Sequence, residues 1–209
     1  MTADARERLA VLVHEVRSPV AALGAIAEAS RAQLEKGARR TLVDLALAAC
    51  RAIERVVTDA AVASVRLAPI DLAEVVAESV QAAALAGTRV SAIVEPGLPA
   101  IEADRLRLRQ ALDNLIANAA THAGGEIVVR AASSDGAIVL TVSDSGPGIP
   151  PEEHERVFDH GVRLDATRPG SGLGLAIVRA IADAHGASVT LESEPGRGAT
   201  FGLVFPVGY

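Results

Sequence analysis

Asp144-Ser145-Gly146-Pro147-Gly148-Ile149-Pro150, followed by Gly170-Ser171-Gly172-Leu173-Gly174-Leu175-Ala176-Ile177, is the stretch on which the reading of this chain turns. Asp144 closes an apolar run, Ile138 to Val142, that reads as a strand. A carboxylate at a strand end can accept a hydrogen bond from an exocyclic amine, such as the amino group of adenine. Gly146 and Gly148 carry no Cβ, so the backbone can approach a flat ring closely. Taken alone, the same residues also describe an ordinary turn after a strand. Gly170, Gly172 and Gly174 open a helix running from Gly172 to His185. Backbone N–H groups at a helix N-terminus, approached past glycine, make a site for phosphate. A lone Gly-x-Gly-x-Gly is a weak signal; behind an aspartate loop it is a strong one.

Upstream lies Leu112-Asp113-Asn114-Leu115-Ile116-Ala117-Asn118-Ala119. Asn114 and Asn118 are four apart and share a helix face, while the apolar residues between them turn toward a sheet. Their neutral amides can reach phosphate and a hard metal ion such as Mg²⁺, which prefers oxygen ligands and shares those of phosphates. They also fit a pair of capping or surface amides.

Bulk properties bound the rest. A length of 209 residues allows one large domain or two small ones, and a hydrophobic half of the chain suffices for a core. Aromatic residues make up 2%, so Ala, Val, Leu and Ile fill that core. The net charge of −6 lacks the basic bias expected for nucleic-acid binding. Cys50 is the single cysteine; it rules out an internal disulfide and reads as a small core hydrophobe. No apolar run approaches the roughly 18–20 residues of a membrane span, and Met1 to Glu7 lacks the apolar core of a signal peptide. A soluble, cytoplasmic protein is expected.

The N-terminal part carries two helical seams. Leu9, Val13, Val16, Val20, Leu23 and Ala27 alternate in steps of four and three, and so do Leu42, Ala46, Ala49, Ile53, Val56, Ala60 and Ala63. The short connection near Gly37 predicts an antiparallel hairpin. Two helices cannot enclose a core, so a homodimer through a four-helix bundle is expected, the other solution being that the hairpin packs on its own second domain. Pro69 breaks the helical pattern. Asp71 is placed to cap a helix to about Ala86, with Glu74 completing a capping box, and Asp104 to cap the Asn114 helix. Strands are expected at Arg89 to Val94, Glu126 to Ala132, Ala137 to Val142, Ala187 to Glu192 and Ala199 to Val204. Ser133-Ser134-Asp135-Gly136 reads as a hairpin turn, and Glu194-Pro195-Gly196-Arg197-Gly198 as a second turn. The fold class is α+β: an antiparallel helical hairpin over 1–66, then an α/β sandwich over 67–209 with helices on one face of a mixed sheet.

These segments resemble the ATP-binding domain of sensor histidine kinases, a Bergerat-type domain shared with Hsp90-type chaperones, gyrases and mismatch-repair proteins. Asn114 to Asn118 is similar to the family's N box, Asp144 to Gly148 to its first glycine box, Phe158 to its F box, and Gly170 to Gly174, with Leu173, to its second glycine box. The resemblance implies that Asn118 holds Mg²⁺ and that Asp144 reads adenine. It also implies a mobile lid, roughly Pro150 to Ser171, whose Arg163 contacts the γ-phosphate or remains a solvated charge. Gly198-Ala199-Thr200-Phe201 is similar to the last family segment, in which Thr200 supports the aspartate. A basic residue is usual three positions after the second asparagine. Thr121 stands here, and the neighbouring His122 either substitutes for it or is structural.

His14 follows seam residue Val13 and belongs at the flank of the bundle, where a bare surface histidine is the ordinary expectation. The run His14-Glu15-Val16-Arg17-Ser18-Pro19, however, resembles the family's H box, in the expected order and on the expected helix. That likeness implies His14 as phosphoacceptor, Glu15 as its acid–base partner, and Ser18, where Thr or Asn is usual, as a helper in dephosphorylating the partner. His154, His160 and His185 read as solvated or capping residues. The implied function is a dimeric histidine kinase that autophosphorylates His14 from ATP with Mg²⁺ and passes the phosphoryl group to an aspartate of a response regulator receiver domain. The chain reads either as a core cut from a longer sensor or as a stand-alone kinase. The competing readings are a phosphotransfer hub that no longer uses ATP and an anti-sigma-type serine kinase; intact glycine boxes argue against the first and residues 1–66 against the second.

Overall fold

Asp71 and Asp104 both open helices, and between them they set the frame of the second half of the chain. The computed structural model describes residues 46, 49, 50, 53, 65–122, 125–164 and 172–206. The chain divides into two units, Met1–Ala60 and Ala61–Tyr209. In the first unit, Ala46, Ala49, Cys50 and Ile53 are helical; Ala49 is buried, and Ala46 and Ile53 are half-buried. Cys50 is exposed, which corrects its reading as a core hydrophobe: it follows the buried seam position and points off the stripe. His14, Glu15, Ser18 and the expected hairpin lie outside the described residues.

In the second unit, Asp71 accepts the Ala73 N–H at 2.8 Å and starts α1 (Leu72–Leu85). The expected capping box is half made, because Glu74 reaches across to Arg105 at 2.9 Å instead of back to the cap. Asp104 Oδ1 accepts the N–H groups of Leu106 and Arg107 and starts α2 (Arg105–His122). Buried Leu108, Ala111, Leu112, Leu115 and Ala119 recur at helical spacing and turn one stripe of α2 inward. The third helix, α3, spans Gly174–Ala184, two residues later than expected at its start.

Five strands form the main sheet in the order β2-β4-β5-β7-β6: β2 (Val90–Val94), β4 (Ile127–Ser134), β5 (Ala137–Asp144), β6 (Ser188–Ser193) and β7 (Ala199–Pro206). β2 runs parallel to β4 and the other pairs are antiparallel, so the sheet is mixed. Register puts Val129, Val142, Phe201 and Leu191 in one cross-strand row and Ala131, Leu140, Leu203 and Val189 in another. These rows form a single core with the buried stripes of α1, α2 and α3, mostly aliphatic but taking in Phe158, Phe201 and Phe205 as well. The alternate residues of β4 and β5 are less buried, which is the pattern of a sheet covered on one face.

Two expectations need correction. Ser133 and Ser134 belong to β4, and the hairpin turns on Asp135 and Gly136 alone, both at positive φ, 49° and 76°. This is a two-residue loop whose twist suits an antiparallel pair. A second, two-stranded sheet of β1 (Ala68–Ile70) and β3 (Ile101–Ala103) was not expected. Three residues are too few for alternation to register, and Pro69 reads as a breaker although a strand outside a central ladder tolerates it.

Candidate functional site

A cavity of about 480 Å³ opens among α2, the loop after β5 and the start of α3, within the range that holds small-molecule ligands. Its lining includes Asn114, Asn118 and His122 from α2, Asp144 at the end of β5, Gly148 from the loop that follows, Arg163, and Gly172, Leu173 and Gly174 at the head of α3. Segments far apart in the chain thus meet at one place. Gly174 packs beside the Asn helix: a Cβ added to it would sit 3.9 Å from Asn114 Cβ, in ordinary van der Waals contact.

The α2 asparagines flank the buried stripe and are half-buried themselves. The Asn114 amide nitrogen is buried and has no hydrogen-bond partner. A buried, unpaired amide costs free energy unless something binds it, and an amide can present either nitrogen or oxygen at the same place. Thr121 turns its hydroxyl back to the Ala117 carbonyl at 2.9 Å, as a helical Thr does.

Asp144 is the last residue of β5. One of its carboxylate oxygens accepts the Gly146 N–H at 2.7 Å, which holds the side chain in place, and the carboxylate borders the cavity. Glycines in and beside this loop also serve chain packing. A Cβ on Gly148 would collide with the Glu194 carbonyl, and one on Gly198 with the Asp144 carbonyl. Gly146 does not line the cavity; a Cβ there would crowd the Asp144 carboxylate at 2.7 Å and the His122 carbonyl at 2.9 Å. Thr200 also stands back from the cavity, and its hydroxyl bonds Ser143 at 2.9 Å instead of Asp144. Gly170 lies outside the described residues.

Behind the cavity, Phe158 is buried, set edge-on to Phe201 at 6.0 Å, with the Arg179 guanidinium 4.9 Å above its ring. Its neighbour Val157 lines the cavity. Ile149, Val162, Leu164 and Ile177 add an apolar wall that sequence reasoning missed, because scattered aliphatic residues carry no spacing signal. His154 donates from Nε2 to the Ile149 carbonyl at 3.0 Å. His185 does more than cap α3: its Nδ1 donates to the Ile181 carbonyl at 2.7 Å and its Nε2 accepts the Asp104 N–H at 2.9 Å.

Residues 103–209 match the family described as Histidine kinase-, DNA gyrase B-, and HSP90-like ATPase. The full-length structure of ShkA in complex with AMPPNP superposes with a TM-score of 0.67 at 30% identity, covering 96% of this chain and 45% of that one. The mycobacterial sensor histidine kinase MprB superposes with a TM-score of 0.60 at 31% identity, over 68% of this chain and 97% of its own.

The chain belongs to the sensor histidine kinase family of ATPases.

Among curated relatives, the adaptive-response sensory kinase SasA of Synechococcus sp. (strain JA-2-3B'a(2-13)) is 33% identical over 98% of this chain and 60% of its own length. This sensor kinase family member spans 36% to 60% of the first curated relatives it matches. No helix among its described residues is long and apolar enough to cross a membrane.

Proposed function

We propose that this chain is the catalytic core of a two-component histidine kinase, with a phosphotransfer hairpin over 1–66 and an ATP-binding domain over 67–209. The observation that carries the reading is the cavity that gathers Asn114, Asn118, Asp144 and the Gly172–Gly174 segment around a buried, unpartnered amide. Asp144, fixed by the Gly146 N–H, accepts the amino group of adenine with its remaining acceptor capacity. Gly172, Leu173 and Gly174 present the N-terminal N–H groups of α3 to the phosphates.

Asn118, with Asn114 beside it, holds Mg²⁺, which supplies charge neutralisation on the phosphate oxygens. The unpartnered Asn114 amide fits such a group better than it fits an empty helix face. His122 and Arg163 both border the cavity, where a cation or N–H donor is suited to the terminal phosphate.

His14 then attacks the γ-phosphorus. A nitrogen–phosphorus bond forms, the bond to the β-phosphate oxygen breaks, and ADP leaves. Glu15 orients the imidazole through its other ring nitrogen and takes up its proton. The phosphoryl group passes from His14 to a receiver-domain aspartate of a response regulator. The family reading also favours a homodimer through the hairpin, and Ser18 as the hydroxyl available for dephosphorylating the partner.

The test is incubation of the chain with γ-labelled ATP and Mg²⁺, beside His14→Ala. Label that is acid-labile, alkali-stable and missing from the variant is expected. A native chain that neither binds ATP nor takes up label would overturn the kinase reading in favour of a phosphotransfer hub.

A further inference from the structure

We infer that Ser193, at the end of β6, is a positioning residue for the nucleotide pocket. Its Oγ accepts the Ile149 N–H at 2.8 Å and donates to the Gly198 carbonyl at 2.6 Å. A hydroxyl carries one proton, and a carbonyl can only accept, so these roles are forced. The two partners flank the loop that follows Asp144. Ile149 forms part of the cavity wall, and Gly198 packs directly beneath the Asp144 carbonyl.

Beyond Asp144 the chain leaves the sheet, and no ladder bond sets its height over the cavity. What sets it is the β6–β7 turn. Gly196 N–H donates to the Pro147 carbonyl at 2.6 Å, and Ser193 holds Ile149 by its N–H while His154 holds the same residue by its carbonyl. Ser193 is half-buried, so losing its hydroxyl leaves a shielded N–H and a shielded carbonyl without partners, and the loop must move to satisfy them. The inference rests on the nucleotide reading above: the loop so held is the one that contacts the base.

The test titrates the full chain, Ser193→Ala and Ser193→Thr with ADP and Mg²⁺ by calorimetry, and records each melting temperature without nucleotide. Ser193→Ala is expected to weaken ADP binding about tenfold, the scale of one lost hydrogen-bond link. Ser193→Thr keeps the hydroxyl and is expected to bind within about threefold of the native chain. A merely structural residue would lower the melting temperature of the alanine variant and leave the affinity of its folded form unchanged. Native-like ADP affinity in Ser193→Ala, or equal weakening in Ser193→Thr, overturns the assignment. If Ser193→Ala does not fold, Ser193→Cys carries the test: its weak thiol should give an intermediate loss, and undiminished affinity overturns the assignment. A native chain that fails to bind ADP overturns the nucleotide reading itself, which separates the two failures.

Discussion

Gly196 and Gly198 have almost the same backbone, φ 81° and 79°, in very different surroundings. A Cβ on Gly196 would meet nothing within 4 Å, whereas one on Gly198 would collide with the Asp144 carbonyl. Alanine at either position strains a left-handed backbone, at a cost of roughly 1 kcal/mol or more. Only Gly198→Ala adds a clash with rigid backbone, so its urea midpoint should fall clearly further than that of Gly196→Ala. Equal losses would mean that φ alone decides and that the tight approach beneath Asp144 is unimportant. Asp144 itself was legible from its place between an apolar strand and a glycine pair. Thr200 was legible as a neighbour of that site, but its hydroxyl is turned to Ser143. Strand register and rotamer settle such a choice, and a motif states neither.

At the scale of the element, α2 shows how one residue serves several ends. Asp104 caps the helix with Oδ1, accepts the Arg66 N–H at 2.9 Å with Oδ2, and donates its own N–H to His185. Burial pushes its carboxyl up, but the N–H groups of Arg66, Arg107 and Leu106, with the Arg107 charge, outweigh that and hold it below its ordinary 3.8. A depressed carboxyl stabilises the fold at pH above 3.8 and loses that contribution as pH falls through its lowered value. The acid limb of the urea midpoint should therefore be steeper in the native chain than in Asp104→Asn, which keeps a capping oxygen and cannot titrate. Asp104→Ala should cost about 1 kcal/mol at neutral pH by chemical denaturation, the usual value of a cap. The Arg105 pairs with Glu74 and Glu78 are 40% to 63% exposed and add little beside it. Both helix starts were legible because a cap acts over three residues. The β1–β3 sheet was not, because its pairing partners lie on either side of α1 and β2.

For the whole molecule, nucleotide binding and stability are linked. A ligand that binds only the folded chain raises its stability by about 2.7 kcal/mol at one hundred times Kd. ADP with Mg²⁺ should therefore raise the melting temperature of the native chain. Asn118→Ala should leave the nucleotide-free melting temperature close to native, since Asn118 is only half-buried, and should lose most of the ADP-induced rise. A full rise in that variant would overturn the proposal that Asn118 holds Mg²⁺. The sequence by itself determined the mostly aliphatic core, the order of the three helices and of the five main-sheet strands of the second unit, and the membership of Asn114, Asn118, Asp144 and Gly172–Gly174 in one constellation. Caps, alternation and glycine spacing act between near neighbours, so they can be read along a line. Only the tertiary structure decided that β7 lies between β5 and β6, and with it that Ser193 reaches Ile149, that His185 reaches Asp104, and that Phe158 rests against Phe201. Those contacts join residues distant in the chain, and they exist because the sheet and helices must close over a single core before any of these side chains can meet.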